Sequence, residues 1–258
     1  MDEQVYGHWR LRLQPWDGLG IVIEGLDSAS RPPPRDYVNE VLLAPEHCEA
    51  FLSLIDRKGL VVCKNVAGDD HLHTEVRGRS SKGRLSQGEY YHHDGCAGPE
   101  KPRVVEIRCP YQETPRHIAT AVAPFPELLS AMVLALPKLL RLEQGMQSFH
   151  ARVSAGENIV GDEAHSLQGL INRTLRRRLP AESARAYFRE VDLTVNAYRE
   201  PWSQGESRFI ANSNTGRTMQ HRRAYLEPHN EGRPNGRLVK RWPDGPFDEQ
   251  VCLRAVAG

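Results

Sequence analysis

The sequence has no Cys-x-x-Cys pair. Its five cysteines, Cys48, Cys63, Cys96, Cys109 and Cys252, are odd in number and widely spaced. That pattern argues against a disulfide framework and against the commoner structural zinc sites. Charge imbalance is missing as well: 34 basic and 33 acidic residues leave a formal net charge of +1. Nothing at whole-chain level therefore calls for a nucleic acid or an anionic membrane as partner. No apolar run approaches a membrane span, and the opening MDEQVYGHWR is polar and acidic, unlike a secretory leader. A reducing, cytoplasmic setting is the expectation. Repeats are absent, and GRSSKGR (78–84) is no phosphate-binding loop, because its lysine is misplaced and no apolar helix follows.

What is present suffices for one domain. A hydrophobic fraction of 39% over 258 residues can fill a core, and no linker divides the chain. Strands are expected at LGIVIEG (19–25), LVVCKNV (60–66), GEYYHHDG (88–95), RVVEIRCP (103–110) and HIATAVA (117–123). Helical spacing marks 44–59, a region from Pro126 ended or kinked at Pro137, and helices near 163–178 and 181–190. RTLRRRLP (173–180) reads as the solvated face of one of these helices. Strand-like runs return in LTVNAY, SRFIAN, RTMQH, GRLVKRW and QVCLRAV. Strands at both ends with helices between them suggest a β-sandwich or barrel with helical support rather than an alternating α/β sheet. The polar, glycine-punctuated stretch 67–88 is long enough to serve as a lid over a site.

The chemistry concentrates in EYYHHDG (89–95). Residues two apart on a strand point the same way, so His92 and Asp94 would share a face with Tyr90. An imidazole beside a carboxylate supplies two ligands of the 2-His-1-carboxylate triad that holds non-haem ferrous iron with open positions. With eleven histidines in the chain, the tripeptide alone favours a structural histidine. Downstream residues reverse that balance. His221 lies in a strand-like run, and Arg237 and Arg241 stand four apart in GRLVKRW, fit to bind a carboxylate through paired hydrogen bonds. The histidines of HLH (71–73) read as loop residues, and His93 as a packed or hydrogen-bonded neighbour facing away from the metal.

In this order of motifs the chain resembles the Fe(II)/2-oxoglutarate-dependent oxygenases of the taurine dioxygenase and clavaminate synthase superfamily. KGLVVCKNV resembles their early buried strand, EYYHHDGC their H-x-D segment, PRHIATAVAPFPELLSAM the strand and helix after it, and FIANSNTGRTMQHRRAYL the strand pair bearing the distal histidine. The resemblance implies a mainly β fold with α, a double-stranded β-helix (jelly roll) with supporting helices. It implies Fe(II) held by His92, Asp94 and His221, with 2-oxoglutarate and O2 as co-substrates. Thr120 becomes a candidate for binding 2-oxoglutarate. Its arginine is to be sought among Arg233, Arg237 and Arg241. Arg233 precedes a proline in a turn-like stretch and ranks last; Arg237 ranks first, with Arg241 supporting it or binding the substrate.

The implied reaction is oxidation, hydroxylation by default, of a C–H bond in a small amino-acid-like or specialised metabolite, with release of succinate and CO2. Asp94 disfavours halogenation, because related halogenases carry Gly or Ala there. Tyr90 is a candidate pocket residue. The alternative is a non-catalytic jelly-roll protein that binds a ligand and whose histidines are structural. A zinc hydrolase lacks an evident general base at suitable spacing. The oligomeric state is not encoded in these motifs.

Overall fold

The computed structural model describes residues 2–6, 9–16, 20–25, 55–64, 74–75, 85, 87–94, 103–109, 118–138, 141–203, 206–212, 218–226 and 239–241. Ten strands and four helices lie within them. The strands are β1 (Asp2–Tyr6), β2 (Trp9–Trp16), β3 (Gly20–Gly25), β4 (Leu60–Lys64), β5 (Thr74–Glu75), β6 (Val104–Arg108), β7 (Ile118–Pro124), β8 (Ser207–Ala211), β9 (Met219–Tyr225) and β10 (Val239–Arg241). The helices are α1 (Phe125–Ala135), α2 (Gln144–Ser154), α3 (Gly161–Arg178) and α4 (Ala181–Thr194).

Eight strands form one sheet in the order β1-β2-β3-β4-β8-β6-β10-β5, antiparallel throughout except for the parallel pair β3–β4. Its centre is apolar and β-branched: Leu60, Val61, Val62, Val104, Val105, Phe209 and Ile210 are buried, as suits strands covered on both sides. A second sheet pairs β7 with β9. Three isolated bridges extend it, His92 against His221 on one side and Val122 against Tyr198 and Ala119 against Pro201 on the other.

The faces of this small sheet have different duties. Ala121, Ala123 and Ala224 belong to the core that the sheet shares with the helices, where they meet residues such as Leu128, Met132, Ile171, Phe188 and Val191. Small side chains there let helices lie close to the backbone. By strand alternation, Thr120, Val122, His221 and Arg223 point to the opposite face. β7 runs straight into α1 through Pro-Phe-Pro. Pro124 takes an extended conformation at the N-cap, and Pro126 sits in the first turn, where a missing N–H costs nothing.

Some expected elements are redrawn. EYYHHDG is not a strand: a 3-10 turn covers Gln87–Glu89, and only His92 makes a β-bridge before the chain turns at Asp94. LTVNAY begins as helix. Burial of Val191 and Asp192 on the inward face carries α4 through Thr194, and Asn196 then stops it in the left-handed region at φ 47°. Tyr198 alone of that run bridges the small sheet. Helix α2 was not expected from Met146 onward, since its sequence is mostly polar and buries only Met146 and Val153. Of the 44–59 helix only its last turn, and of the 67–88 stretch only 74–75, 85 and 87–88, lie among the described residues; QVCLRAV lies outside them.

Phe188 on α4 is fully buried and meets the rings of Tyr90, Tyr91 and Tyr187. Its replacement by alanine should cost about 3–5 kcal/mol of stability, read as a lowered midpoint of chemical denaturation. A loss of less than about 1 kcal/mol would contradict this packing.

Candidate metal centre

His92 and His221 face each other across a hydrogen-bonded antiparallel pair. The His92 N–H donates to the His221 carbonyl at 3.2 Å, and the His221 N–H returns a bond at 3.3 Å. Cα atoms in such a pair stand about 5.5 Å apart, and the two imidazole centroids are 4.6 Å apart. His92 Nδ1 lies 2.7 Å from the Tyr90 carbonyl. A carbonyl can only accept, so this contact places the proton on Nδ1 and leaves Nε2 with its lone pair.

Asp94 completes the group. One carboxylate oxygen, Oδ1, is 3.6 Å from His92 Nε2, and the other, Oδ2, is 3.4 Å from His221 Nε2. One ligand atom from each of the three residues lies within 4.8 Å of the others, and the set could hold a metal ion. Neighbouring ligands around an ion with bonds of about 2.1 Å stand ~3 Å apart, so these donors would draw closer together on binding one. Two neutral nitrogens and one anionic oxygen match the donor chemistry of non-haem iron. The His92 side chain is 25% exposed against 3% for His221 and 7% for Asp94, so the group opens on the His92 side.

The backbone around each ligand is held by residues that sequence reasoning passed over. Asn212, buried just beyond β8, accepts the Asp94 N–H at Oδ1 (2.8 Å) and donates through Nδ2 to the Asp94 carbonyl (3.1 Å). This reciprocal clamp fixes the turn that swings the carboxylate between the histidines. Nothing in SRFIAN marks that asparagine except its place after a buried strand.

From the helical side, Gln168 and Asn172 of α3 both donate to the Tyr91 carbonyl, at 3.1 and 3.2 Å. Gln168 also exchanges amide hydrogen bonds with Gln220, whose Nε2 lies 3.1 Å from His93 Nδ1. His93 itself packs edge-on against Phe125 and beside His165. The residues flanking His92 and His221 in sequence are thus gripped from α3.

Helix α4 adds a buried charged contact. Asp192 receives two bonds from Arg222, Nε to Oδ1 at 3.1 Å and Nη2 to Oδ2 at 2.6 Å. The Tyr91 hydroxyl donates to Oδ1 at 2.6 Å, and Arg199 Nε lies 3.3 Å from Oδ2. Burial, reinforced by the Asp192 charge, holds the Tyr91 hydroxyl well above the usual phenol range, so it stays a donor. For Arg222, burial pulls downward, but the Asp192 carboxylate and Tyr91 outweigh it and the guanidinium is raised overall.

Thr120 is buried on β7 and pairs in register with Arg223. It therefore shares the face of His221, one pair along. Its carbonyl accepts a bond from Arg208 Nη1 at 3.2 Å, and Arg208, fully buried and ion-paired with Glu206, stacks 3.8 Å over the Trp202 ring. Arg208 thus ties the large sheet to the small one. Arg223 is half-buried on the same face as His221; its Nη1 finds no hydrogen-bond partner among the described residues, and Nη2 reaches toward Gly88. Arg241 sits on β10, opposite Glu106 of β6. Arg233, Arg237, the pair His71 and His73, and Arg77, Arg79, Lys82 and Arg84 of the expected lid lie outside the described residues. Tyr90 lines a cavity of about 320 Å3 beside His92.

No family model matches the chain, and no curated protein matches it. Solved structures do resemble it. One is PvcB, described as an iron- and α-ketoglutarate-dependent oxygenase from an isonitrile synthetic pathway: 12% identical, TM-score 0.48, over 89% of this chain and 90% of that one. Another is AAD-2 in complex with Mn(II) and N-oxalylglycine, 12% identical at a TM-score of 0.41, covering 92% of this chain and 99% of that one. A taurine dioxygenase from Burkholderia xenovorans is 13% identical at a TM-score of 0.40, covering 96% and 99%.

Replacing Asn212 with alanine should weaken Mn(II) binding about 10–100-fold while circular dichroism stays unchanged. Titration calorimetry reads the affinity, and an undiminished value would mean that the Asp94 turn is held without the clamp.

Proposed function

We propose that this protein is an Fe(II)- and 2-oxoglutarate-dependent oxygenase acting on a C–H bond of a small molecule. The convergence of His92 Nε2, His221 Nε2 and the Asp94 carboxylate carries this reading. Iron, when bound, supplies the one-electron and dioxygen chemistry that amino-acid side chains lack. The overall reaction joins one oxygen atom to the substrate carbon and the other to the carboxylate of succinate, with CO2 released from 2-oxoglutarate. Strand order supports a double-stranded β-helix. The run β8-β6-β10-β5 forms one wall, and the His92 segment, β9, β7 and the Tyr198 segment form the other.

Each protein group has a defined task in this reading. The two imidazoles and the carboxylate would hold the iron, with the exposed side toward His92 left for co-substrate and substrate. Asp94 contributes the negative charge, and its clamp by Asn212 keeps that charge aimed at the site. Tyr91, Gln168 and Asp192 hold the histidine backbones rigid from outside, so the donors need little reorganisation when metal enters. Arg237 binds the far carboxylate of 2-oxoglutarate through paired hydrogen bonds, with Arg241 in support and Thr120 contributing from β7. We read 1–258 as a single domain, with 67–88 as its candidate lid.

Anaerobic addition of Fe(II) and then 2-oxoglutarate should produce a weak visible charge-transfer band, followed in air by succinate release. A protein that binds a ligand through structural histidines would give neither. Asp94→Ala is expected to abolish both signals, and a variant that still turned over would remove Asp94 from the centre. Arg237→Gln should raise the KM for 2-oxoglutarate by about two orders of magnitude, the loss of a charged, paired hydrogen bond. Arg223→Gln should leave that KM nearly unchanged; a rise matching that of Arg237→Gln would move the anchor to β9.

A further inference from the structure

The cavity beside His92 has two unlike walls. Leu85, Tyr90, Tyr91 and His92 form one; Asn172, Arg173 and Arg176, from a single stretch of α3, form the other. Its volume of about 320 Å3 is at the small end of the ~300–1,000 Å3 found for ligand pockets. Arg173 and Arg176 are three apart, so they lie on one face of the helix.

Several arginines of the described residues are held by carboxylates. Arg222 is paired with Asp192, Arg185 with Glu89, Arg208 with Glu206 and Arg178 with Glu143. Among the described residues, Arg173 and Arg176 meet no carboxylate, although they border a cavity next to the candidate metal. Asn172 beside them turns its Nδ2 to the Tyr91 carbonyl, fixing the arginine-bearing turn of α3 against the histidine segment. Two cations thus face a wall of Leu85, Tyr90, Tyr91 and His92, with no carboxylate beside them among the described residues. A divalent metal held by one carboxylate leaves the centre positive as well, so the cavity favours a negatively charged occupant.

We infer that the substrate is a small organic acid, its carboxylate held by Arg173 and Arg176 and its apolar body against Leu85 and Tyr90. The assignment rests on the oxygenase reading for the word substrate; the acid subsite itself needs only α3 and the 85–92 region. Guanidinium groups suit this task because they stay charged and bind carboxylates through paired bonds. Anchoring the acid on α3 would direct the other end of the molecule past Tyr90 toward His92, the exposed edge of the metal group.

Phenylacetate and its uncharged amide, phenylacetamide, provide the test, titrated calorimetrically into the protein with and without Mn(II). Phenylacetate should bind at least about tenfold more tightly than the amide, about 1.4 kcal/mol. The Arg173→Gln/Arg176→Gln double variant should lose that preference while keeping wild-type Mn(II) and 2-oxoglutarate affinities. Both positions are exposed on a helix, so the fold should survive, and circular dichroism checks this. Equal affinity for acid and amide, no phenylacetate binding, or a preference that persists in the double variant would each overturn the acid subsite. A fall in 2-oxoglutarate affinity instead would give the two arginines to the co-substrate and overturn the substrate assignment. Acid preference in a wild-type protein that fails to bind Mn(II) would leave the subsite standing and sink the oxygenase reading.

Discussion

Two backbone hydrogen bonds, exchanged between His92 and His221, hold together everything else that can be said about this molecule. They set the spacing of the two imidazoles before any side-chain rotamer is chosen. They also join a short, irregular segment to an ordered strand, so that a region with little secondary structure of its own gains the position of a sheet edge. Without this bridge, Asp94 would have no fixed relation to His221, and the cavity beside His92 would lose a wall.

The helices explain why so small a bridge can persist. Most stabilisation of the small sheet comes from its alanine face, against which α1, α3 and α4 bury Leu128, Met132, Ile171 and Phe188. That term is nonspecific and does not choose a register. Register comes from the polar contacts layered over it. Asp192 binds Arg222 and Tyr91, each next to a histidine, and Gln168 joins the Tyr91 carbonyl to Gln220. Buried ion pairs contribute little net stability because desolvation offsets attraction, yet breaking one is costly. A slip by one residue would strand Asp192 and Arg222 apart in the core, so this contact penalises alternative registers more than it stabilises the native one.

Much of the site was legible in sequence because its chemistry is compact. His92 and Asp94 sit two apart, and His221 falls in a run with strand character. The strand assumed for EYYHHDG is the instructive difference. Alternation put His92 and Asp94 on one face, and they do converge, but through a turn clamped by Asn212 and not through strand pleating. Asn212, Gln168, Asp192 and Arg208 left no sequence signal. Each acts on a backbone or charge far away in the chain, and single asparagines, glutamines and arginines carry no periodicity. RTLRRRLP looked like a solvated helix face. Arg173 and Arg176 are exposed as that reading holds, but the fold sets their part of the face against the cavity.

The sequence by itself determined the donor types, their order along the chain, the apolar strands and the helices that follow Pro124, because these depend on local composition and period. Tertiary structure decided which groups meet. It set His92 against His221, turned Asp94 between them and laid α3 along the cavity. Such meetings depend on long-range pairing, and a linear pattern records a residue's own preferences but not the partner that folding will bring to it.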